Sequence, residues 1–65
     1  MPSRGDTLLD IKSASQMLRC NERFMRRLVQ ERRIPFVKLG GTNIRFSQRE
    51  LDQWIESQRV PAKFN

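Results

Sequence analysis

The stretch NERFMRRLVQERR, residues 21–33, decides what kind of molecule this chain makes. Its apolar residues Met25, Leu28 and Val29 recur at spacings of three and four, the stripe of a single helical face. Asn21 ahead of the stripe is suited to cap a helix, because its side chain can accept an otherwise orphaned backbone N–H. Glu22 then sits at the positive end of the helix dipole. The spacing predicts a helix from Glu22 to about Arg32, with Phe24 at the edge of the inward stripe. Arg23, Arg27 and Gln30, spaced by four and three, share the outward face; Arg26 lies beside it, and Arg32 and Arg33 follow at its end.

These residue types on one face point to nucleic acid. Arginine presents a planar fork that takes guanine O6 and N7 together, and glutamine can take adenine N6 and N7. A side-chain-bearing helix roughly 10–12 Å across fits the major groove. Glu22 could accept from a cytosine amine or serve only the dipole. The competing reading is a solvated face laced by ion pairs, and Arg27 with Glu31 fits it. Arg23 and Arg27, however, are four apart and repel, which makes better sense with an anionic partner.

Upstream, Leu8, Leu9 and Ile11 read as a short extended segment. Ser13 is an N-cap for a helix from Ala14 to Arg19, whose inward residues are Ala14, Met17 and Leu18. Cys20 and Asn21 break the pattern, so the two helices form a helix-turn-helix. Downstream, Pro35 ends helical possibilities and Phe36 to Leu39 reads as a strand. Gly40, Gly41, Thr42 and Asn43 form a turn where glycine and asparagine tolerate positive φ, and Ile44 to Phe46 returns. Lys38 and Arg45 flank this tip, whose glycines would let backbone approach a phosphate or minor groove, or would simply make the turn. Ser47 to Glu50 is a capping box opening a helix to about Arg59, with Leu51, Trp54 and Ile55 on one face. The expected fold is α+β: a small winged helix-turn-helix of three helices and a two- to three-stranded antiparallel sheet. It spans residues 8–59, between a loose arm (1–7) and a loose tail (60–65).

Composition agrees. The chain has 65 residues, 13 Lys and Arg against 7 Asp and Glu, and a net charge of +6. Cys20 is the sole cysteine and histidine is absent, so no intramolecular disulfide or Cys/His zinc site can be assembled. Cys20 reads as a small apolar residue at a helix end. Met17, Met25, Phe24, Phe36, Phe46 and Trp54 read as core, with Phe24 also within reach of a thymine methyl. The acidic residues are scattered, and no catalytic set, metal site or cofactor motif is legible, so the expectation is a DNA-binding module and not an enzyme. No targeting segment and no membrane span is present, so a cytoplasmic location is expected. Without a heptad or second apolar stripe, the protein should be monomeric in solution and assemble cooperatively on DNA.

With these elements in place, Leu9 to Ile55 resembles the excisionase family of MerR-like winged-helix proteins found in phages and other mobile elements. The resemblance is carried by LLDIKSASQML and by NERFMRRLVQERRIPFVKLGGTNIRFSQRELDQWI. It implies a recombination directionality factor in a bacterial cell, binding and bending double-stranded DNA at an attachment site so that a separate integrase favours excision. The base-reading positions it implies are Arg23, Arg26, Arg27 and Gln30, to which the residue pattern adds Glu22 and Arg33 as DNA-binding candidates of the same helix; the implied wing contacts are Lys38, Gly40, Gly41, Thr42, Asn43 and Arg45. Arg32 stands where the family usually has glycine, and Ser13 where it usually has an acidic residue near the start of the first helix. A chain with almost nothing beyond the domain is expected to be an architectural factor, since a MerR-type regulator normally adds a dimerising helix and an effector domain. A small MerR- or AlpA-like transcriptional regulator is the alternative, and an adaptor that recruits another protein through its basic face is the third reading.

Overall fold

The computed structural model describes residues 6–61. In chain order the elements are β1 (Leu8–Leu9), α1 (Ile11–Leu18), α2 (Glu22–Gln30), β2 (Val37–Leu39), β3 (Asn43–Ser47) and α3 (Gln48–Ser57). The sheet is antiparallel with order β1-β3-β2, Leu9 opposite Phe46 and Val37 opposite Arg45. This is the winged helix-turn-helix expected: three helices and a three-stranded sheet whose β2–β3 hairpin is the wing.

The first helix starts earlier than its pattern suggested. Asp10, in extended backbone, caps α1 by accepting the Ser13 N–H at 2.8 Å, so Ser13 lies inside the first turn and Ile11 is helical rather than extended. Aspartate wins because it combines the cap hydrogen bond with a full negative charge at the dipole's positive end. The bonds from Ser13 hold its carboxyl below the usual carboxylate range. Asn21 caps α2 as its sequence position indicates, accepting the Phe24 N–H at 2.8 Å.

Both helices of the pair end in the same way. After α1, Arg19 N–H donates to the Gln16 carbonyl at 3.2 Å and Cys20 N–H to Ser15 at 2.9 Å. After α2, Arg32 N–H donates to Val29 at 3.0 Å and Arg33 N–H to Leu28 at 2.9 Å. These paired bonds, three and five residues back, are the Schellman closure, which needs left-handed backbone at its first donor. Arg19 and Arg32 accordingly both have φ 55°. A Cβ in that region costs about 1 kcal/mol. Arg32 therefore lies outside α2, at the position where the resemblance expects glycine.

The wing turns at Gly40 and Gly41, with φ of 64° and 83°, closed by Thr42 N–H to the Leu39 carbonyl at 3.4 Å. Nothing lies within 4 Å of where either Cβ would stand, so backbone conformation and not space calls for glycine here. Asn43, expected in the turn, instead opens β3 opposite Leu39 and has no positive φ.

The start of α3 binds the N-terminal segment. Ser47 Oγ accepts the Glu50 N–H at 3.2 Å, as a capping box requires. The acid that completes the arrangement is Asp6 rather than Glu50: Asp6 accepts from the Ser47 hydroxyl and from the Arg49 N–H, while the Thr7 carbonyl accepts from Gln48 N–H at 2.8 Å. The Ser47 bond, then the Arg49 N–H, holds the Asp6 carboxyl below its ordinary range. Residues 6 and 7, expected in the loose arm, are therefore docked, because an aspartate at this place satisfies a backbone donor in the first turn that α3 itself cannot. The rest of the expected arm and most of the tail lie outside the described residues. The third helix ends at Ser57, two residues short of its expected Arg59.

Ala14, Met25, Leu28, Ile34, Phe46 and Leu51 form the buried core, ringed by Leu9, Ile11, Met17, Leu18, Cys20, Val29, Phe36, Ile44 and Trp54. Burial pushes the Cys20 thiol up, which suits packing rather than reactivity. Trp54 also donates its indole N–H to the Arg33 carbonyl at 2.8 Å, tying α3 to the segment leaving α2. Phe24 departs from expectation: it is 48% exposed. At 100° per residue it falls outside the arc of Met25, Leu28 and Val29, so its ring is not part of the core.

Candidate nucleic-acid interface

The core fixes which way α2 points. With Met25 and Leu28 buried, Arg23, Arg26, Arg27 and Gln30 are all exposed, and Glu22 is half-buried at the helix start. Residues 22–33 carry five arginines against two glutamates, three of the chain's six net positive charges. The ion-pairing reading is realised in part. Arg26 lies 3.6 Å from Glu22, Arg27 lies 3.1 Å from Glu31, and Arg33 lies 3.5 Å from the same Glu31 carboxylate. The Arg27 hydrogen bond, with smaller help from Arg33, holds Glu31 below the usual carboxylate range. These pairs are open to solvent and contribute little to stability. They leave the face strongly positive, and Arg23 has no ion pair among the described residues.

The wing stands beside this face. Arg26, Val29 and Gln30 of α2, Thr42 and Asn43 of the hairpin, and Arg45 line one open groove of about 470 Å³. Ile11 and Ile44 contribute apolar wall, and Asp10 lies at the edge. Lys38 is exposed on the outer strand β2, and Gly40 and Gly41 are exposed at the tip. Arg45 lies on β3 two residues past Asn43, at the flank of the tip, and faces the groove. It is half-buried, donates from Nη1 to the Ile44 carbonyl at 2.8 Å, and acts on Asp10 electrostatically. It belongs to the groove. Arg33 lies just past the helix, its side chain shared with Glu31.

A helix carrying arginines outward, capped by Asn21 and joined to α1 by a three-residue turn, is the recognition arrangement of the helix-turn-helix. A family model described as a helix-turn-helix domain matches residues 8–59. The chain belongs to this helix-turn-helix family. Among the curated proteins and the solved structures, none matches the chain. The matched range runs from β1 to just past α3, so the whole wing is included. Membership identifies a DNA-binding module. Among the described residues, no group of acidic or cysteine side chains could hold a metal ion, and no helix is long and apolar enough to cross a membrane.

Within this helix-turn-helix domain, sequence reasoning missed Asp10 as both cap and groove residue. The signal was present, since Asp10 stands three residues before Ser13, the spacing from a cap to the amide it binds. The Glu22–Arg26 pair was legible in the same way from its i,i+4 spacing. The backbone of Arg19 and Arg32 carried no such signal, because arginine says nothing about φ.

Proposed function

We propose that α2 lies in the major groove of duplex DNA, where Arg23, Arg27 and Gln30 meet base edges while Arg26, Lys38 and Arg45 hold the phosphate strand between helix and wing. The observation that carries this reading is the outward face of α2, dense in arginine, opening directly into a groove shared with the hairpin, where Arg26, Gln30 and Arg45 stand around an apolar floor. A bent or wrapped duplex would meet both surfaces together. Glu22 stands at the positive end of the helix dipole and pairs with Arg26, and the Gly40–Gly41 tip allows close backbone approach.

The experiment is a selection of bound duplexes from a random library, followed by affinity measurements on the selected site and on scrambled DNA. Arg27→Ala is expected to cost about 1–3 kcal/mol on the selected site and to relax preference at one base position. Lys38→Ala is expected to weaken both duplexes alike and to make the salt dependence shallower by about one. Both side chains are exposed, so both variants should melt with the parent. Equal losses on both duplexes for Arg27→Ala would show that another element reads the bases.

Beyond DNA binding, the reading favoured is that of an architectural excisionase, a recombination directionality factor that bends attachment-site DNA for an integrase. Its support is the extent of the resemblance from Leu9 to Ile55, wing included. Copies on neighbouring sites would hold the bend, at a deformation cost of roughly 1–6 kcal/mol offset by added contacts. The second reading, a small transcriptional regulator of a mobile element, uses the same surface. A reconstituted recombination reaction with integrase from the same element distinguishes them. The directionality factor raises excision and depresses integration as its concentration increases. Unchanged excision together with altered transcription from an adjacent promoter would establish the regulator instead.

A further inference from the structure

Arg19 and Arg32 differ from the other arginines in their backbone. Each directly follows the closure of a helix, and each has φ 55°. The chain uses glycine at its other positive-φ positions, Gly40 and Gly41; among the described residues the exceptions are these two arginines. Glycine would adopt the same closure without a Cβ in the unfavourable region. Both side chains are exposed, and neither makes an ion pair or side-chain hydrogen bond with any described residue. Among the described residues, neither side chain offsets the strain; only the backbone closure bonds do, and glycine would make them equally well. Strain that the side chain itself does nothing to relieve clusters at sites where a side chain meets a ligand.

Their placement says what that is. Arg19 lies in the turn before α2, and Arg32 lies just after it. The nine residues of α2 span about 14 Å. That is close to the major-groove width of about 12 Å, so a helix lying in the groove brings its two ends toward the phosphate backbones on either side. The Schellman bonds around each Cα anchor the point from which each guanidinium extends, which reduces the ordering cost of a contact. We propose that Arg19 and Arg32 are a pair of phosphate clamps, one at each end of the reading helix, outside the helix–wing groove. The proposal rests on the reading of α2 as the helix that enters duplex DNA.

The test compares the parent with Arg19→Gly and Arg32→Gly, with Arg59→Gln at the end of α3 as a control for loss of one unit charge. Thermal melts are combined with titrations of a fluorescent mixed-sequence duplex across a salt series. Each glycine variant is expected to melt higher by about 4–8 °C. Each should nevertheless bind about eightfold more weakly at about 0.1 M salt, with a log–log salt slope shallower by about 0.9. Arg59→Gln should leave the slope unchanged. Stability and affinity moving in opposite directions is the signature of a strained residue kept for binding. Glycine variants that bind like the parent would overturn the clamps while leaving the DNA reading intact, and so would an equal loss from Arg59→Gln or a fall in melting temperature. A parent that shows no salt-dependent duplex binding would remove the DNA reading and the clamps with it.

Discussion

Raising the salt concentration from about 50 to about 200 mM is expected to weaken duplex binding by roughly 500-fold. The figure follows from five phosphate contacts: Arg26, Lys38 and Arg45 beside the helix–wing groove, and Arg19 and Arg32 at the ends of α2. Each neutralised phosphate adds about 0.9 to the log–log slope, so five give a slope near −4.5 over a fourfold salt change. The three groove contacts alone would give only about 40-fold, so the size of the effect also tests the clamps. The ion pairs of Arg26 and Arg27 with glutamates do not cancel this response, because they are solvent-exposed and can exchange carboxylate for phosphate. Fluorescence anisotropy at fixed temperature and pH measures the slope directly. An affinity that stays flat across the series would be incompatible with a basic helix and wing seated on DNA.

The second large effect is on stability. Phe46→Ala is expected to cost about 3–5 kcal/mol. Phe46 is fully buried on the central strand β3, opposite Leu9 of β1, within the core that includes Met25 and Leu51. A domain of this length has a total stability of roughly 3–10 kcal/mol, so the substitution consumes much or all of it. Circular dichroism should show a greatly lowered melting transition, and DNA binding should fall in step with the folded fraction. Phe24→Ala is the paired control: the ring is 48% exposed on α2 and its loss should shift stability by less than about 1 kcal/mol. If the two phenylalanine variants melted together, the core assignment would be wrong.

The contrast between those phenylalanines marks where local pattern ends. The order of elements, the inward stripe of α2, the Asn21 and Ser47 caps and the glycine turn were legible because each depends on residues within a few positions of one another. Helical periodicity and cap hydrogen bonds are local interactions, and composition already excluded a disulfide framework. The outward face of Arg23, Arg26, Arg27 and Gln30 followed from Met25, Leu28 and Val29 by geometry alone.

Tertiary structure decided what depends on distant partners or on backbone angle. The docking of Asp6 on Ser47 and Arg49 joins residues 41 and 43 positions apart, a separation over which no sequence period operates. The Asp10 cap is local, three residues from the Ser13 N–H it accepts, but its place beside a groove that also contains Arg45 comes from the packing of α1 against β3. Arg45 stays at the wing's flank, and its contact with a groove shared with α2 and Asp10 depends on how the hairpin packs against the helices, which the hairpin's own sequence does not state. Arg19 and Arg32 entered the left-handed region because each helix closes its last carbonyls there, and side-chain identity does not encode that angle. Local pattern alone yields a basic helix-turn-helix with a wing; packing and helix closure set which of its charges stand in the groove, which are paired, and which are held in strained backbone at the ends of the reading helix.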